Sequence, residues 1–267
     1  MTNPNEPQIW HYGLMAERWA AFNAAAPEAP FFLDVIARSG QPALDLACGA
    51  GRVLLPLLRA GVDIDGCDFS ADMLRHCRAR AASEGFEPNL YAQPMHAIAL
   101  PRIYRTIYIC DSFGLAGSLE NDLETLRCCY AHLAEGGTLA LNIEAEYTDP
   151  TMWALWLVEQ RQKLPQPWPE GGRGRLAPDG SEHIGRFRIL ALDPLEQTIT
   201  RQVRLEKWQD GAIVAAEEYT LRGRMYFRDE LLLMLRLAGF RDITVCGDYT
   251  AEPASAEHRQ LVFTAVR

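Results

Sequence analysis

Residues 43–68 read ALDLACGAGRVLLPLLRAGVDIDGCD, and this stretch decides the fold of the chain. An apolar run enters a turn that contains Gly49 and Gly51, and an amphipathic run then covers residues 52–60. A second apolar run ends at an acid, Asp68. This order predicts a strand, a glycine-rich turn, a helix and a second strand with a carboxylate at its tip.

Each part of this unit is suited to holding an adenosine-type cofactor. The two glycines let the backbone approach a ligand where a Cβ would collide. The following helix offers free N–H groups and the positive end of its dipole to a carboxylate or phosphate. Asp68 can accept hydrogen bonds from both ribose hydroxyls. A dinucleotide site usually has a third glycine in this turn, but position 54 is Leu, and Asp45 lies inside the first strand. These differences favour another cofactor.

The motif DLACGAG (residues 45–51) resembles the first motif of class I S-adenosylmethionine-dependent methyltransferases, with Ala where the family more often has its first glycine. The resemblance extends over residues 40–267 and implies S-adenosyl-L-methionine as the cofactor, with S-adenosyl-L-homocysteine as its product. In the family the early acid orients the turn and the methionine amino group, and the later acid holds the ribose. These roles fall on Asp45 and Asp68. The turn residues implied to contact the cofactor are Ala47, Cys48, Gly49 and Gly51.

The resemblance implies further cofactor contacts along the chain. Phe69 follows the ribose acid and would pack near the adenine, while Met73 would cover the other side of that ring. Gln93 stands where the family often has an acid, and its amide oxygen can accept from the adenine amino group. In the N-terminal segment, Tyr12 and Trp19 either close over the cofactor or only pack the segment together. The remaining predicted contacts follow the third and fourth strands and are Pro94, Met95, Cys110, Asp111 and Ser112.

The predicted fold class is α/β. It has a seven-stranded, mostly parallel Rossmann-like sheet with an antiparallel last strand, an N-terminal helical cap and a three-stranded antiparallel insert after the fifth strand. The expected segments are a cap (1–39), a cofactor-binding core (40–144), an insert or lid (145–226) and a C-terminal completion of the core sheet (227–267).

The insert is the most distinctive part of the sequence. A tryptophan-bearing helix is predicted over residues 150–163 and a Pro/Gly-rich loop or lid over 164–180, followed by three strands. An Asp-Gly pair at 210–211 is a strong hairpin signal. Trp153 and Trp156 either roof a substrate pocket or fasten the insert to the core. An insert at this position resembles the glycine/sarcosine and sugar-amine N-methyltransferase branch, where it forms a lid or an oligomer contact, so a homodimer is an open alternative.

Composition narrows the class of protein. The chain of 267 residues has a net charge of −9 and 48% apolar residues, and its Lys and Arg residues are scattered. This balance argues against nucleic acid or an anionic membrane as a partner.

Seven cysteines without Cys-x-x-Cys spacing are typical of a reducing cytosol rather than of disulfides or a zinc site. Residues 1–8 show no signal segment, and no apolar run reaches the roughly 18 residues of a membrane span. We expect a cytoplasmic protein.

Methyl transfer from a sulfonium is a direct in-line displacement, so positioning and desolvating the nucleophile supply much of the rate. A general base is needed only when the nucleophile arrives protonated. The sequence shows no cluster of acids for magnesium, and no metal is predicted. The catalytic candidates are Glu144 and Asp111, which follow the fifth and fourth strands. Further residues that could face the substrate are Tyr226, His11, His183 and Arg224.

The expected function is transfer of a methyl group from S-adenosylmethionine to a small-molecule N, O or S nucleophile. Two alternatives stay open from the sequence. One is a module that binds S-adenosylmethionine without catalysis, and it would gain if the protein bound the cofactor but produced no demethylated cofactor. The other is a nicotinamide-dinucleotide oxidoreductase, which tight NADH binding without S-adenosylmethionine binding would favour.

Overall fold

The computed structural model describes residues 8–267. The strands in chain order are β1 (Ala43–Leu46), β2 (Ile64–Asp68), β3 (Leu90–Ala92), β4 (Tyr104–Ile109), β5 (Leu133–Glu144), β6 (Arg173–Leu176), β7 (Glu182–Asp193), β8 (Thr198–Gln209), β9 (Ala212–Arg224), β10 (Arg241–Gly247) and β11 (Gln260–Val266). The helices are α1 (Gly13–Phe22), α2 (Ala29–Ser39), α3 (Leu54–Arg59), α4 (Ala71–Ser83), α5 (Leu119–His132), α6 (Pro150–Ala154), α7 (Val158–Arg161) and α8 (Arg228–Leu237). The first seven residues of the predicted cap, and most of the stretch predicted to lack a signal segment, lie outside the described residues.

The larger sheet has seven strands in the order β10-β11-β5-β4-β1-β2-β3. β1 pairs in parallel with β2 and with β4, whereas β11 runs antiparallel between β5 and β10. This arrangement confirms the predicted Rossmann-like fold and the antiparallel last strand. The strand order reverses between β1 and β4, and in open α/β sheets ligands bind outside the carboxyl ends of the strands at such a switch point.

Helices cover both faces of this sheet, because its central strands are apolar on both sides. In β4, Ile107 and Ile109 pack into the cluster that contains the buried residues of α5 and α8. Tyr108, between them, packs into the other cluster, with the buried residues of α2, α3 and α4. The period-2 alternation of a strand therefore divides one apolar run between two helical layers. The core between these layers holds the ends of β1, β2 and β4 in place.

The insert forms a second sheet of four antiparallel strands in the order β6-β7-β8-β9. Asp210 and Gly211, which join β8 to β9, both have positive φ angles of 51° and 78°, as a tight hairpin turn requires. The sequence predicts three of these strands. The fourth, β6, lies within the predicted loop 164–180 and pairs Arg173 with Gly185. It was missed because it is an exposed, glycine-containing edge strand without alternating apolar residues.

The predicted helix over residues 150–163 is two short helices, α6 and α7. The chain leaves the helical conformation at Leu157, whose ψ is 135°, and the Arg161 guanidinium donates a hydrogen bond to the Trp156 carbonyl oxygen. Trp153 and Trp156 pack against each other and against Phe227, at centroid separations of 5.6–6.5 Å. These contacts attach the start of the insert to the chain that follows it.

Helix α1 connects the core to the insert. Its first N–H groups donate to side chains: Gly13 to Asp72 of α4 at 2.7 Å, Leu14 to Glu217 at 3.0 Å, and Met15 to the Tyr219 hydroxyl at 3.0 Å. The buried residues around this helix are Trp10, Leu14, Met15, Val203, Leu205, Tyr219 and Leu221. The inner face of the second sheet is thus packed on α1 above the carboxyl ends of the core strands. No helix within residues 8–267 has the length and apolar character that crossing a membrane requires.

Candidate active site

A cavity of about 500 Å³ lies at the switch point, between the core sheet and the inner face of β8 and β9. The predicted site residues that line it are Trp19, Asp45, Ala47, Cys48, Gly49, Asp68, Met73, Cys110, Asp111, Ser112 and Glu144. Predicted residues that do not line it are Tyr12, Gly51, Phe69, Gln93, Pro94 and Met95. The cavity is within the size range of ligand pockets in proteins. The structure therefore brings most of the predicted site together around one space.

The turn after β1 is bonded directly to the acid at the tip of β2. The Gly49 N–H donates to one Asp68 carboxylate oxygen at 2.8 Å, and the Ser70 N–H donates to the other at 2.7 Å. Ser70 also accepts a hydrogen bond from the Met73 N–H at 3.1 Å, which caps α4 as its sequence predicts. The orientation of Asp68 is thus fixed by backbone groups. Burial raises its pKa.

The turn is open enough for a ligand to come close to the protein backbone. Gly49 has φ +54°, and a Cβ at this position would lie 3.1 Å from the Met73 side chain, within the cavity wall. Ala47 has φ +68°. The family's usual glycine at that position would adopt this left-handed conformation without steric strain, so the departure to Ala costs backbone strain. Gly51 instead faces the core, where a Cβ would lie 2.8 Å from Cys77 Sγ.

Asp45 supplies a second carboxylate in the cavity wall. It is 2% exposed. Burial raises its pKa to about 7, and the nearby charge of Asp68 adds to the shift. A cationic amino group beside Asp45 would favour its ionised form. With the fixed carboxylate of Asp68 for hydroxyls and the open turn at Gly49, these residues fit the ribose and the amino group of S-adenosylmethionine.

An arginine that the sequence reasoning missed connects the turn to the end of β4. Arg52 pairs with the buried carboxylate of Glu28 and, at 2.8 Å, with Asp111. The Asp111 side chain also accepts from the Asn142 amide at 2.7 Å. Glu28, Cys110 and Asp111 lie close enough to hold a metal ion, but the Arg52 guanidinium already pairs with both carboxylates. Arg52 directly follows the glycine turn and could have been flagged; nothing in the sequence around Glu28 pointed to its role.

The N-terminal wall of the cavity is formed by Trp10, His11 and Trp19. The His11 and Trp19 rings meet edge to face at 5.2 Å. Burial lowers the pKa of His11 to about 4, so this imidazole is neutral at physiological pH. Tyr12 faces away and packs on the Tyr219 ring at 4.9 Å. Trp19 therefore lines the cavity together with Trp10, and the cofactor contacts expected of Tyr12 and Trp19 stay predictions.

The loop after β3 is held by its own contacts. The Gln93 amide oxygen accepts from the Ala99 N–H at 2.6 Å, and Met95 packs against the core cluster of β4 and β5. Phe69 is exposed beside Asp68, with 47% of its surface accessible. The adenine contacts expected of Phe69, Gln93, Pro94 and Met95 stay predictions.

The other half of the cavity is roofed by the insert. Its apolar wall comes from Ile199 and Leu221 of the second sheet and from Met225, while no residue of 150–180 lines it. Tyr226 also lines it, and its hydroxyl donates to the buried Asp122 at 2.6 Å; burial raises the pKa of Asp122 to about 6.

The charged side chains of this half are Glu144, Glu146, Arg201 and Arg224. Glu144 and Arg224 are candidates from the sequence; Glu146 and Arg201 are additions. His183, by contrast, is buried against Phe22 outside the cavity, which excludes it from the candidates there.

Known proteins are similar to this chain over the residues that form this cavity and beyond them. Residues 43–137, which hold the turn, Asp68 and the end of β4, match a family described as a methyltransferase domain. The chain is 23% identical over 225 residues to the putative methyltransferase YqeM of Bacillus subtilis (strain 168), covering 83% of this chain and 82% of that protein. It is 26% identical over 237 residues to the cypemycin N-terminal methyltransferase of Streptomyces sp, covering 85% and 84%.

Solved structures share the fold across the whole chain. An S-adenosylmethionine-dependent methyltransferase from Clostridium acetobutylicum ATCC 824 superposes with a TM-score of 0.70 at 17% identity, covering 95% of this chain and 97% of that one. The sugar N-methyltransferase KedS8 from Streptoalloteichus sp ATCC 53650 gives 0.69 at 16% identity, covering 100% and 96%.

The doubly wound sheet with an antiparallel last strand is the fold of these methyltransferases, and the glycine turn bonded to Asp68 lies at its switch point. Residues 43–137 match a methyltransferase domain, and the chain shares its fold with solved S-adenosylmethionine-dependent methyltransferases. The predicted cofactor and enzyme class are confirmed.

Proposed function

We propose that this enzyme methylates a nitrogen atom of a small-molecule amine. The observation that carries the proposal is a pair of carboxylates, Glu144 and Glu146, which both line the cavity. They follow the end of β5, next to the switch point where class I enzymes place their acceptor. Carboxylates attract an ammonium group, whereas a neutral phenol or thiol carries no charge for them to attract.

The carboxylates can also receive the proton that an amine must lose. Burial raises the pKa of Glu146, and the neighbouring charges of Glu144 and Asp149 act in the same direction, against Arg201. A carboxylate with a raised pKa is a stronger base than an ordinary one. We assign proton removal to Glu146 and attraction of the ammonium group to the more exposed Glu144. Asp111, the other catalytic candidate, is engaged by Arg52 and Asn142, so we propose a positioning role for it.

S-Adenosylmethionine, when bound, supplies a methyl group on a sulfonium that an unprotonated nucleophile can displace in one step. The chain's own residues prepare this step. Asp68 and Asp45 hold the ribose and the amino group, and Ile199, Leu221 and Met225 exclude water around the nucleophile. An acceptor ammonium group would pass its proton to the Glu146 carboxylate, which leaves a lone pair on the nitrogen for the methyl group.

Two of the similar proteins support an amine acceptor by their names. One relative is a cypemycin N-terminal methyltransferase, and one solved structure is a sugar N-methyltransferase. One name gives an N-terminus as the methylated position and the other gives N-methylation of a sugar, and both proteins are similar to this chain over more than four-fifths of its length.

A methyl-transfer screen over matched amines, phenols, thiols and carboxylic acids tests the proposal, with S-adenosylhomocysteine measured by mass spectrometry. We expect turnover with amines, and a loss of about 10²-fold or more in kcat/KM for Glu146→Gln. Glu87→Gln is the matched control, since Glu87 is exposed on the surface and does not line the cavity. Turnover of phenols or thiols but not amines would overturn the nitrogen proposal while leaving the enzyme class intact.

A further inference from the structure

We infer that the acceptor is zwitterionic: an amine that also carries an anionic group, a carboxylate or a phosphonate, which Arg201 and Arg224 bind. The inference rests on the proposed N-methylation and names its substrate class. The four cavity residues Glu144, Glu146, Arg201 and Arg224 are called the charged quartet below.

The charged quartet has no internal hydrogen bonds. Among residues 8–267, Arg201 approaches a carboxylate only at 3.7 Å, to Glu146, and Arg224 only at 3.7 Å, to Glu196. The Nε of Arg224 is buried without any hydrogen-bond partner. The side chain of Glu144 likewise makes no hydrogen bond or ion pair within the described residues.

The cofactor half of the same cavity is different. There the carboxylates of Asp68 and Asp111 and the guanidinium of Arg52 all make hydrogen bonds of 2.7–2.8 Å within the chain. Charged groups that are largely buried are costly unless they are paired and hydrogen-bonded. The Arg224 side chain is only 12% exposed, and that of Glu146 only 11%. Largely buried donors and acceptors that lack partners within the chain are available to a ligand that carries the complementary charges.

Arg201 also departs from the pattern of its own strand. The inward residues of β8 are Ile199, Arg201, Val203 and Leu205, and all except the arginine are buried apolar residues. Directly across the sheet from Ile199 lies Gly223, where a Cβ would be 4.0 Å from Arg201 Nη1. Arg201 therefore lies beside a position without a side chain, where a Cβ would be in ordinary van der Waals contact with the guanidinium. A planar guanidinium with five donors matches a carboxylate or phosphonate in geometry as well as in charge.

The spacing of the quartet sets the form of the ligand. Arg201 Nη2 and Glu146 Oε1 are 3.7 Å apart, so the subsite for an anion adjoins the subsite for an ammonium group. A molecule that fills both carries its two charges only a few bonds apart. Its remaining part would contact the apolar wall of Ile199, Leu221 and Met225.

Calorimetry on the protein saturated with S-adenosylhomocysteine tests this inference. The aliphatic probes are propylamine, propanoate, 3-aminopropanoate and 2-aminoethylphosphonate; the aromatic probes are phenethylamine, 3-phenylpropanoate and phenylalanine. We expect at least one zwitterion to bind more tightly, by about tenfold or more, than both the amine and the acid of the same aliphatic or aromatic set. The two aliphatic zwitterions distinguish a carboxylate from a phosphonate preference. The inference is overturned if no zwitterion binds, or if the plain amine binds as tightly.

Substitutions show whether Arg201 and Arg224 bind a ligand or only take part in structural ion pairs. Arg201→Gln and Arg224→Gln should each weaken binding of the zwitterion about tenfold or more, with the plain amine unaffected. Arg204→Gln is the matched control, since Arg204 lies on the same strand but pairs with Glu218 on the outer face. The Tm provides a readout that needs no ligand: Arg201→Gln should melt at or above the wild-type Tm, whereas a fall of several degrees would assign Arg201 a structural role. Turnover of a zwitterionic amine that is insensitive to both substitutions would refute this inference but not N-methylation.

Discussion

The backbone N–H of Gly49 donates a 2.8 Å hydrogen bond to the carboxylate of Asp68, which joins the glycine turn after β1 to the tip of β2. Because the Ser70 N–H holds the second carboxylate oxygen, Asp68 is oriented before any ligand arrives. A carboxylate has about four lone-pair sites, so two backbone donors leave capacity for two ribose hydroxyls. Such preorganisation lowers the entropic cost of binding.

Two glycine-to-alanine substitutions distinguish the loss of space for a ligand from the backbone strain of a side chain at positive φ. Gly49→Ala and Gly61→Ala both place a side chain at a positive φ, +54° and +79°, so both should lose about 1 kcal/mol of stability. Only Gly49 lines the cavity, whereas a Cβ at Gly61 meets nothing within 4 Å. Calorimetry should show S-adenosylmethionine affinity reduced about tenfold or more in Gly49→Ala alone. Equal affinities in the two variants would remove this turn from the site.

The buried carboxylate of Asp45 should make stability depend on pH. Its pKa is raised to about 7 in the folded protein, chiefly by burial, against about 3.9 in an unfolded chain. The folded state therefore holds the proton more tightly, and this contribution to stability is lost as the pH rises through about 7. Relative to Asp45→Asn, wild type should lose about 1.4 kcal/mol of unfolding free energy per pH unit between these pKa values.

Urea unfolding at pH 5, 6 and 7 measures this difference. Asp63→Asn is the control, because the Arg102 ion pair lowers the pKa of the exposed Asp63 and its contribution changes only in more acidic solution. Parallel stability profiles for wild type and Asp45→Asn would show that Asp45 does not titrate in this range.

The contact between α1 and the insert should contribute to stability. The Tyr219 hydroxyl accepts the Met15 N–H at 3.0 Å in a buried position. Tyr219→Phe leaves that N–H without its acceptor and should cost about 1–2 kcal/mol, seen as a lower Tm. Tyr147→Phe is the control, since Tyr147 is exposed. If Tyr219→Phe and Tyr147→Phe both have the Tm of wild type, this hydrogen bond does not hold α1 in place.

The sequence predicted the parts of the molecule that depend on local pattern. The turn around Gly49, the acid Asp68 and the strands of the core sheet are encoded within short windows, as apolar periodicity and glycine positions. The hairpin at 210–211 is likewise encoded by two residues. These features appear in the structure because tertiary contacts reinforce the local preference.

The features that were missed depend on residues far apart in the chain. Glu28 meets Arg52 and Cys110 only when α2 packs beside the turn, and no short pattern records that meeting. Arg201 is 55 residues from its nearest carboxylate, Glu146, and reads in sequence as an ordinary polar residue of a strand. The edge strand β6 forms because β7 offers open backbone groups, although its own residues are all exposed.

The most direct measurement of the central claim is calorimetric titration of S-adenosylmethionine into wild type, Asp68→Ala and Asp63→Ala. Loss of the charge-assisted hydrogen bonds from the ribose to Asp68 should cost about 2–3 kcal/mol, roughly a thirtyfold to hundredfold weaker Kd. Asp63→Ala makes the same change in charge at the other end of β2, at a residue that does not line the cavity, and should bind as wild type does. A Kd for Asp68→Ala equal to that of wild type would contradict the assignment of this cavity as the cofactor site.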